Sequence, residues 1–214
     1  MNMCKPYPLF APIKPVAVIG AAIVDLLIAI NEFPDRGGDA KAKVLKRQVG
    51  GCAFNVARAL CKLGVTVING MQVGQGIWGK TIEKSFLELG IDVILRNRLH
   101  DNGWCIAMIE PAGERTFITF TGCEAQWSAN LLAQLELPFN AIIYVNGYEL
   151  VGEQGKTLGE WLLDKSPHHT LLLDVGPRLK EIDREFIMAL DNTATILTLN
   201  RDEVRLLCGS SDNQ

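Results

Sequence analysis

Short apolar runs alternate along most of this chain with segments whose apolar residues recur every three or four positions, and that alternation constrains the fold more than any other feature. Residues 16–27 form a nearly continuous apolar run broken by Asp25, the pattern of a strand buried on both faces with a polar residue at its carboxyl end. Residues 55–63 then place Val56, Leu60 and Leu63 on one helical face, with Gly64 positioned as a C-cap. A strand over 65–71, a helix over 77–89 stopped at Gly90, and a strand over 91–95 follow. Further strands are expected over 141–145, 170–175 and 195–199, with helices near 156–163 and 183–190 between them and another from about Arg201. A helical crossover returns the chain to the same end of a sheet, so strands joined this way run parallel. The predicted fold class is α/β, a mainly parallel sheet with helices on both faces.

Two segments break the alternation, 39–49 and 104–121. The second reads as a hairpin, with strands over 104–110 and 115–120 around a Pro111-Ala112-Gly113 turn. On the residues alone this is an edge hairpin, and one so rich in Phe and Ile needs covering. Residues 1–15 hold Pro6, Pro8, Pro12 and Pro15 and read as an irregular leader, with one α/β domain expected over 16–214.

Composition narrows the functions. With 214 residues, 48% of them hydrophobic and 21% charged, the chain can bury a sizeable core. Its net charge is −3 and its Lys and Arg are scattered, which argues against a nucleic-acid partner. No apolar run reaches membrane-spanning length. The six cysteines lack any Cys-x-x-Cys pair and only three histidines occur, so reduced thiols in a cytoplasmic protein are expected rather than disulfides or a zinc site.

The chemistry gathers at a glycine pair, Gly50-Gly51, which runs through Cys52, Ala53 and Phe54 into a helix carrying Asn55. Glycines let the backbone approach a ligand closely, and Asn55 can both donate and accept hydrogen bonds, a combination suited to a polyhydroxylated small molecule. Asp25, expected at a strand's carboxyl end, stands where open α/β sheets bind ligands; on position alone a turn or N-cap aspartate fits as well. Asn200 and Glu203 form an Asn-x-x-Glu pair that spacing alone reads as a capping box.

Residues 50–64, the opening run with Asp25, and Asn200-Arg201-Asp202-Glu203 occur in the order of the ribokinase (pfkB) family of carbohydrate kinases, which this chain resembles. The resemblance implies a ribokinase-like fold in which 39–49 and 104–121 form a β lid that closes over the sugar and pairs with a second subunit, giving a homodimer. It implies ATP-dependent phosphorylation of a sugar or nucleoside hydroxyl. Asp25, Gly50, Gly51 and Asn55 would bind substrate, Glu149 would be a weaker substrate contact, and Asn200 and Glu203 would stand near Mg²⁺-ATP with Glu203 toward the metal. The family's Gly-Ala-Gly-Asp segment, source of the catalytic aspartate, occurs nowhere in the 214 residues, so no catalytic residue is assigned. A fragment of a longer kinase and a non-catalytic sugar- or partner-binding protein are both open readings. An isolated chain of this extent is expected to expose apolar surface and to dimerise or aggregate.

Three further features need a reading. Cys52 stands where ribokinases carry lysine; it leaves the sugar's identity open, and a catalytic thiol at a helix start is the rival role. Gly152-Glu153-Gln154-Gly155-Lys156-Thr157, followed by Leu171-Leu172-Leu173-Asp174, resembles a P-loop nucleotide site, but Leu150 stands where that loop needs glycine. Trp78, Trp104, Trp127 and Trp161 could stack on a sugar, though core or rim packing is the commoner role, and Trp104 on the expected lid is the one to test.

Overall fold

The computed structural model describes residues 14–208. The leader expected over 1–15 therefore lies almost wholly outside the described residues. From the amino end the elements are β1 (Val16–Ile19), β2 (Ile23–Ile30), β3 (Ala42–Gly50), α1 (Cys52–Lys62), β4 (Val67–Gly70), β5 (Gln72–Val73), α2 (Ile77–Leu89), β6 (Leu95–Arg96), β7 (Trp104–Ile109) and β8 (Arg115–Phe120). They continue with α3 (Ala129–Leu132), β9 (Ile142–Asn146), α4 (Gly152–Lys165), β10 (Thr170–Asp174), α5 (Arg184–Ala189), β11 (Thr195–Thr198) and α6 (Arg201–Cys208).

Five strands form a wholly parallel sheet in the order β11-β10-β9-β1-β4. Alternate residues of β1 divide between two cores: Ala17 and Ile19 join Ile143, Leu171, Leu158 and Phe186 on one face, while Val16 and Val18 join Phe54, Ala57, Ile82 and Phe86 on the other. That period of two, with helical residues in both clusters, is why the strands read as continuous apolar runs. The helix expected over 77–89 is α2, closed by Gly90 in the left-handed region at φ 70°.

A second sheet, ordered β3-β2-β7-β8, is the expected lid, with β7 and β8 as the predicted hairpin and Gly113 at φ 87° in its turn. Here the sequence reading needs correction. The apolar run over 16–27 is two strands: the chain breaks at Gly20, φ 139°, and β2 leaves the parallel sheet to pair with β3 and β7. Side-chain pattern could not reveal this, because both strands are apolar and no polar residue marks the break. Asp25 consequently lies inside a lid strand rather than at the carboxyl end of β1. The strand expected over 91–95 shrinks to Leu95–Arg96, paired only with β5.

The stretch that resembles a P-loop is the start of a helix. Gly152–Lys165 is helical from its first residue, so Gly152 to Thr157 forms no loop around a phosphate. The glycines there serve packing instead: a Cβ on Gly155 would stand 2.2 Å from the Leu150 carbonyl carbon, and one on Gly159 3.0 Å from the Phe186 ring.

Candidate functional site

The connection from β1 to β2 and the turn from β3 into α1 meet backbone to backbone. A Cβ on Gly51 would come within 2.5 Å of the Ala21 carbonyl oxygen, and Gly51 itself sits at φ 94°. Both observations restrict the position to glycine. Its neighbour Gly50 lies beneath Asp25: a Cβ there would be 2.1 Å from Asp25 Oδ2. The glycine pair therefore brings the α1 start against one connection and clears room for a carboxyl group beside it.

Asp25 is half-buried, and its Oδ1 accepts a hydrogen bond from the Cys105 thiol at 2.9 Å. Asn55 is exposed one turn into α1, where its backbone N–H donates to Gly51 O at 3.0 Å. Arg58 donates to Asn55 Oδ1 at 2.9 Å, and its guanidinium stands 5.7 Å from the Phe54 ring centroid. Asn55 keeps both amide N–H donors and one lone pair on Oδ1 for a ligand; Asp25, by contrast, can only accept when ionised.

Behind this pair the carboxyl ends of β1, β9 and β10 gather acidic groups. Glu149 is buried against Gly20, where a Cβ would be 3.3 Å from Glu149 Oε1. Burial, with the nearby charge of Glu124, pushes the Glu149 carboxyl up to about 8. The Trp127 indole, whose buried Nε1 has no hydrogen-bond partner among the described residues, lies within electrostatic reach and holds the rise back, as does the Ala21 amide. Asp174 Oδ2 accepts from Tyr144 Oη at 3.2 Å and from Asn146 Nδ2 at 2.9 Å. Cys52 is exposed at the first position of α1, and burial of its sulfur together with the charges of Asp174 and Glu149 pushes its thiol up. That is the opposite of an activated nucleophile, which needs a lowered pKa.

The sequence reading missed the group that braces this site. Asn102 is buried and donates to Ala22 O at 3.2 Å and Gln72 O at 2.9 Å while accepting from Gly74 N at 2.7 Å. Asp101 accepts from the Trp78 and Gly79 amides at 3.0 and 2.7 Å, satisfying free N–H groups at the start of α2. Glu124, also buried, accepts from the Gly103 and Gly122 amides at 2.7 and 2.8 Å. The only local signal was Asp101-Asn102-Gly103 itself, a turn-forming triplet whose partners lie far away in sequence. Trp104 is not free to stack on a ligand: it lies between Trp78, at 5.4 Å, and Phe120, at 4.3 Å.

Asn200 and Glu203 lie at the carboxyl end of β11, next to the strand that carries Asp174 but three strands from β1 and hence about 14 Å along the sheet from it. Their geometry is the capping box. Asn200 Oδ1 accepts from the Asp202 and Glu203 amides, both at 2.9 Å, and Glu203 Oε2 accepts from Asn200 N at 2.9 Å. Asn200 Nδ2 also donates to Glu203 Oε1 at 2.7 Å. Among the described residues no group of three or more His, Cys, Asp or Glu side chains is arranged to hold a metal ion.

A parallel sheet flanked by helices, a second four-stranded sheet and a glycine pair beneath an aspartate of that second sheet define an α/β protein with one candidate ligand site. Residues 14–214 match the pfkB family of carbohydrate kinases, and the chain belongs to that family. It is 37% identical over 191 residues to YegV, an uncharacterized sugar kinase of Escherichia coli (strain K12), and covers 59% of that protein's length against 89% of its own. Ribokinase from Giardia lamblia superposes with a TM-score of 0.76 at 18% identity, over 94% of this chain and 66% of that one. Fructokinase from Xylella fastidiosa with bound ATP gives 0.67 at 16% identity, over 92% and 64%. These two likenesses establish the ribokinase-like fold.

Proposed function

We propose that the chain is the sugar-binding portion of an ATP-dependent kinase that phosphorylates a hydroxyl of a sugar or nucleoside. The observation that carries this reading is the Asp25 carboxyl seated over Gly50, the first of a glycine pair whose second member accepts the Asn55 amide at the start of α1. A carboxylate acceptor and an amide donor flanking bare backbone suit neighbouring hydroxyls of one ligand. Glu149, neutral below about pH 8, adds a group able to donate as well as accept.

ATP would supply the transferred phosphoryl group, as the family membership and the ATP-bound fructokinase support. Each Glu203 oxygen carries one hydrogen bond and keeps a lone pair, which fits contact with Mg²⁺ through its retained waters. Phosphoryl transfer depends chiefly on positioning and charge stabilisation, with a base to take the hydroxyl proton. In the family that base belongs to the Gly-Ala-Gly-Asp segment, which these 214 residues do not contain. Any turnover by these 214 residues would need a base from elsewhere in the chain.

A second copy would pair through the lid, whose Val44, Leu45, Phe117 and Ile118 are exposed. Five free cysteines among the described residues accord with a cytoplasmic setting. An ADP-release assay with D-ribose, D-fructose and adenosine tests the reading, with turnover at background expected. Robust turnover abolished by Asp25→Ala but not by Lys156→Ala would place a base within the chain; loss with Lys156→Ala alone would restore the phosphate-loop account.

A further inference from the structure

We propose that Cys105 is a positioning residue for Asp25: its thiol, presented by the neighbouring lid strand, fixes the carboxylate so that one oxygen is held and the other faces the ligand. The inference rests on reading Asp25 as a sugar-binding group. Strands β2 and β7 run parallel with Asp25 opposite Cys105, so the two side chains emerge on one face. The thiol donates to Oδ1 at 2.9 Å. Cys105 is only 3% exposed, which leaves the S–H little access to water as an alternative acceptor.

The carboxylate's other flank is equally defined. Its Oδ2 occupies the space that any side chain at position 50 would fill. Asp25 thus stands in a slot with a thiol from β7 on one side and bare β3 backbone on the other, and Oδ2 remains to accept a substrate hydroxyl. A thiol suits this task because it orients without neutralising. Lysine or arginine in its place would pair with the charge and weaken the carboxylate as an acceptor, whereas Cys105, pushed up to about 12 by burial and by Asp25, stays a neutral donor through the physiological range. The contact also couples the site to the lid, since β7 leads directly into the β7–β8 hairpin. A shift of the hairpin relative to β2 moves the donor and with it the carboxylate.

The test uses the full 214-residue chain, with D-ribose, D-fructose and adenosine as calorimetric probes and infrared spectroscopy of the S–H stretch. Cys105→Ala should weaken probe binding about fivefold to tenfold, while Cys105→Ser, which restores a donor, stays within about twofold of the parent. A role in packing alone would predict the reverse, with the polar serine the worse replacement. In the infrared arm, the band that Cys105→Ala removes should move to higher frequency in Asp25→Asn, as the acceptor loses its charge. Binding unaltered by Cys105→Ala, serine failing as badly as alanine, or a band indifferent to Asp25→Asn would each overturn the proposal. If the parent chain binds none of the probes while the band still responds, the sugar-site reading falls and the Asp25–Cys105 contact stands.

Discussion

On the lid side of the parallel sheet β1 is buried along its whole length, whereas at the far edge β11 leaves Ile196 55% and Leu197 36% exposed. The first region is held by contacts between segments distant in sequence: Gly51 against Ala21, Asn102 bridging Ala22 and Gln72, Asp25 bonded to Cys105. The second is held locally, by a capping box spanning four consecutive residues, and helix α6 beside it exposes Val204, Leu206 and Leu207. The groups proposed to bind the sugar are therefore fixed by tertiary structure already present, while those proposed for the nucleotide sit on a flank with exposed apolar surface.

Substitutions can break that contrast. The largest effect is expected for Gly51→Val, which meets the Ala21 carbonyl and a φ of 94° together; a loss on the order of 4 kcal/mol, read by denaturant unfolding, follows from such a backbone clash. Next comes the pH dependence of Glu149. Its folded pKa of about 8 lies above the ordinary 4.5, so between those values the folded state holds a proton that the unfolded state has lost. Stability then falls as pH rises across that window, by a few kcal/mol, and levels off above it. Glu149→Gln should flatten this slope in melting curves recorded from pH 5 to 9. At the other flank Asn200→Ala should cost only about 1 kcal/mol, the usual value of a lost cap, with no change in sugar binding. Smallest is Leu197→Lys, within about 0.5 kcal/mol of the parent yet lowering the association seen by light scattering.

The same contrast separates what was legible from what was not. Local features could be read directly: α2 and its Gly90 stop, the β7–β8 hairpin, and the Asn200–Glu203 box all arise from residues within a few positions of one another. The glycine pair and Asn55 were legible as a motif, and Asp25 as a candidate, but its strand was misplaced. An apolar run carries no mark of where a chain leaves one sheet for another, and the deciding feature, Gly20 in a left-handed conformation against Ala53 and Glu149, depends on segments 33 and more residues away. Asn102, Glu124 and Cys105 lay hidden for the same reason. Each acts through partners that no spacing rule connects to it.

The central claim is that Asp25, held over Gly50, grips a sugar or nucleoside. Titration calorimetry of the 214-residue chain and its Asp25→Ala and Lys156→Ala variants with D-ribose, D-fructose and adenosine tests it most directly. The account predicts saturable binding of at least one probe, weakened at least about tenfold by Asp25→Ala, as expected when a charged hydrogen bond is removed, and unchanged by Lys156→Ala. Binding that survives Asp25→Ala undiminished, or no binding of any probe, would contradict it.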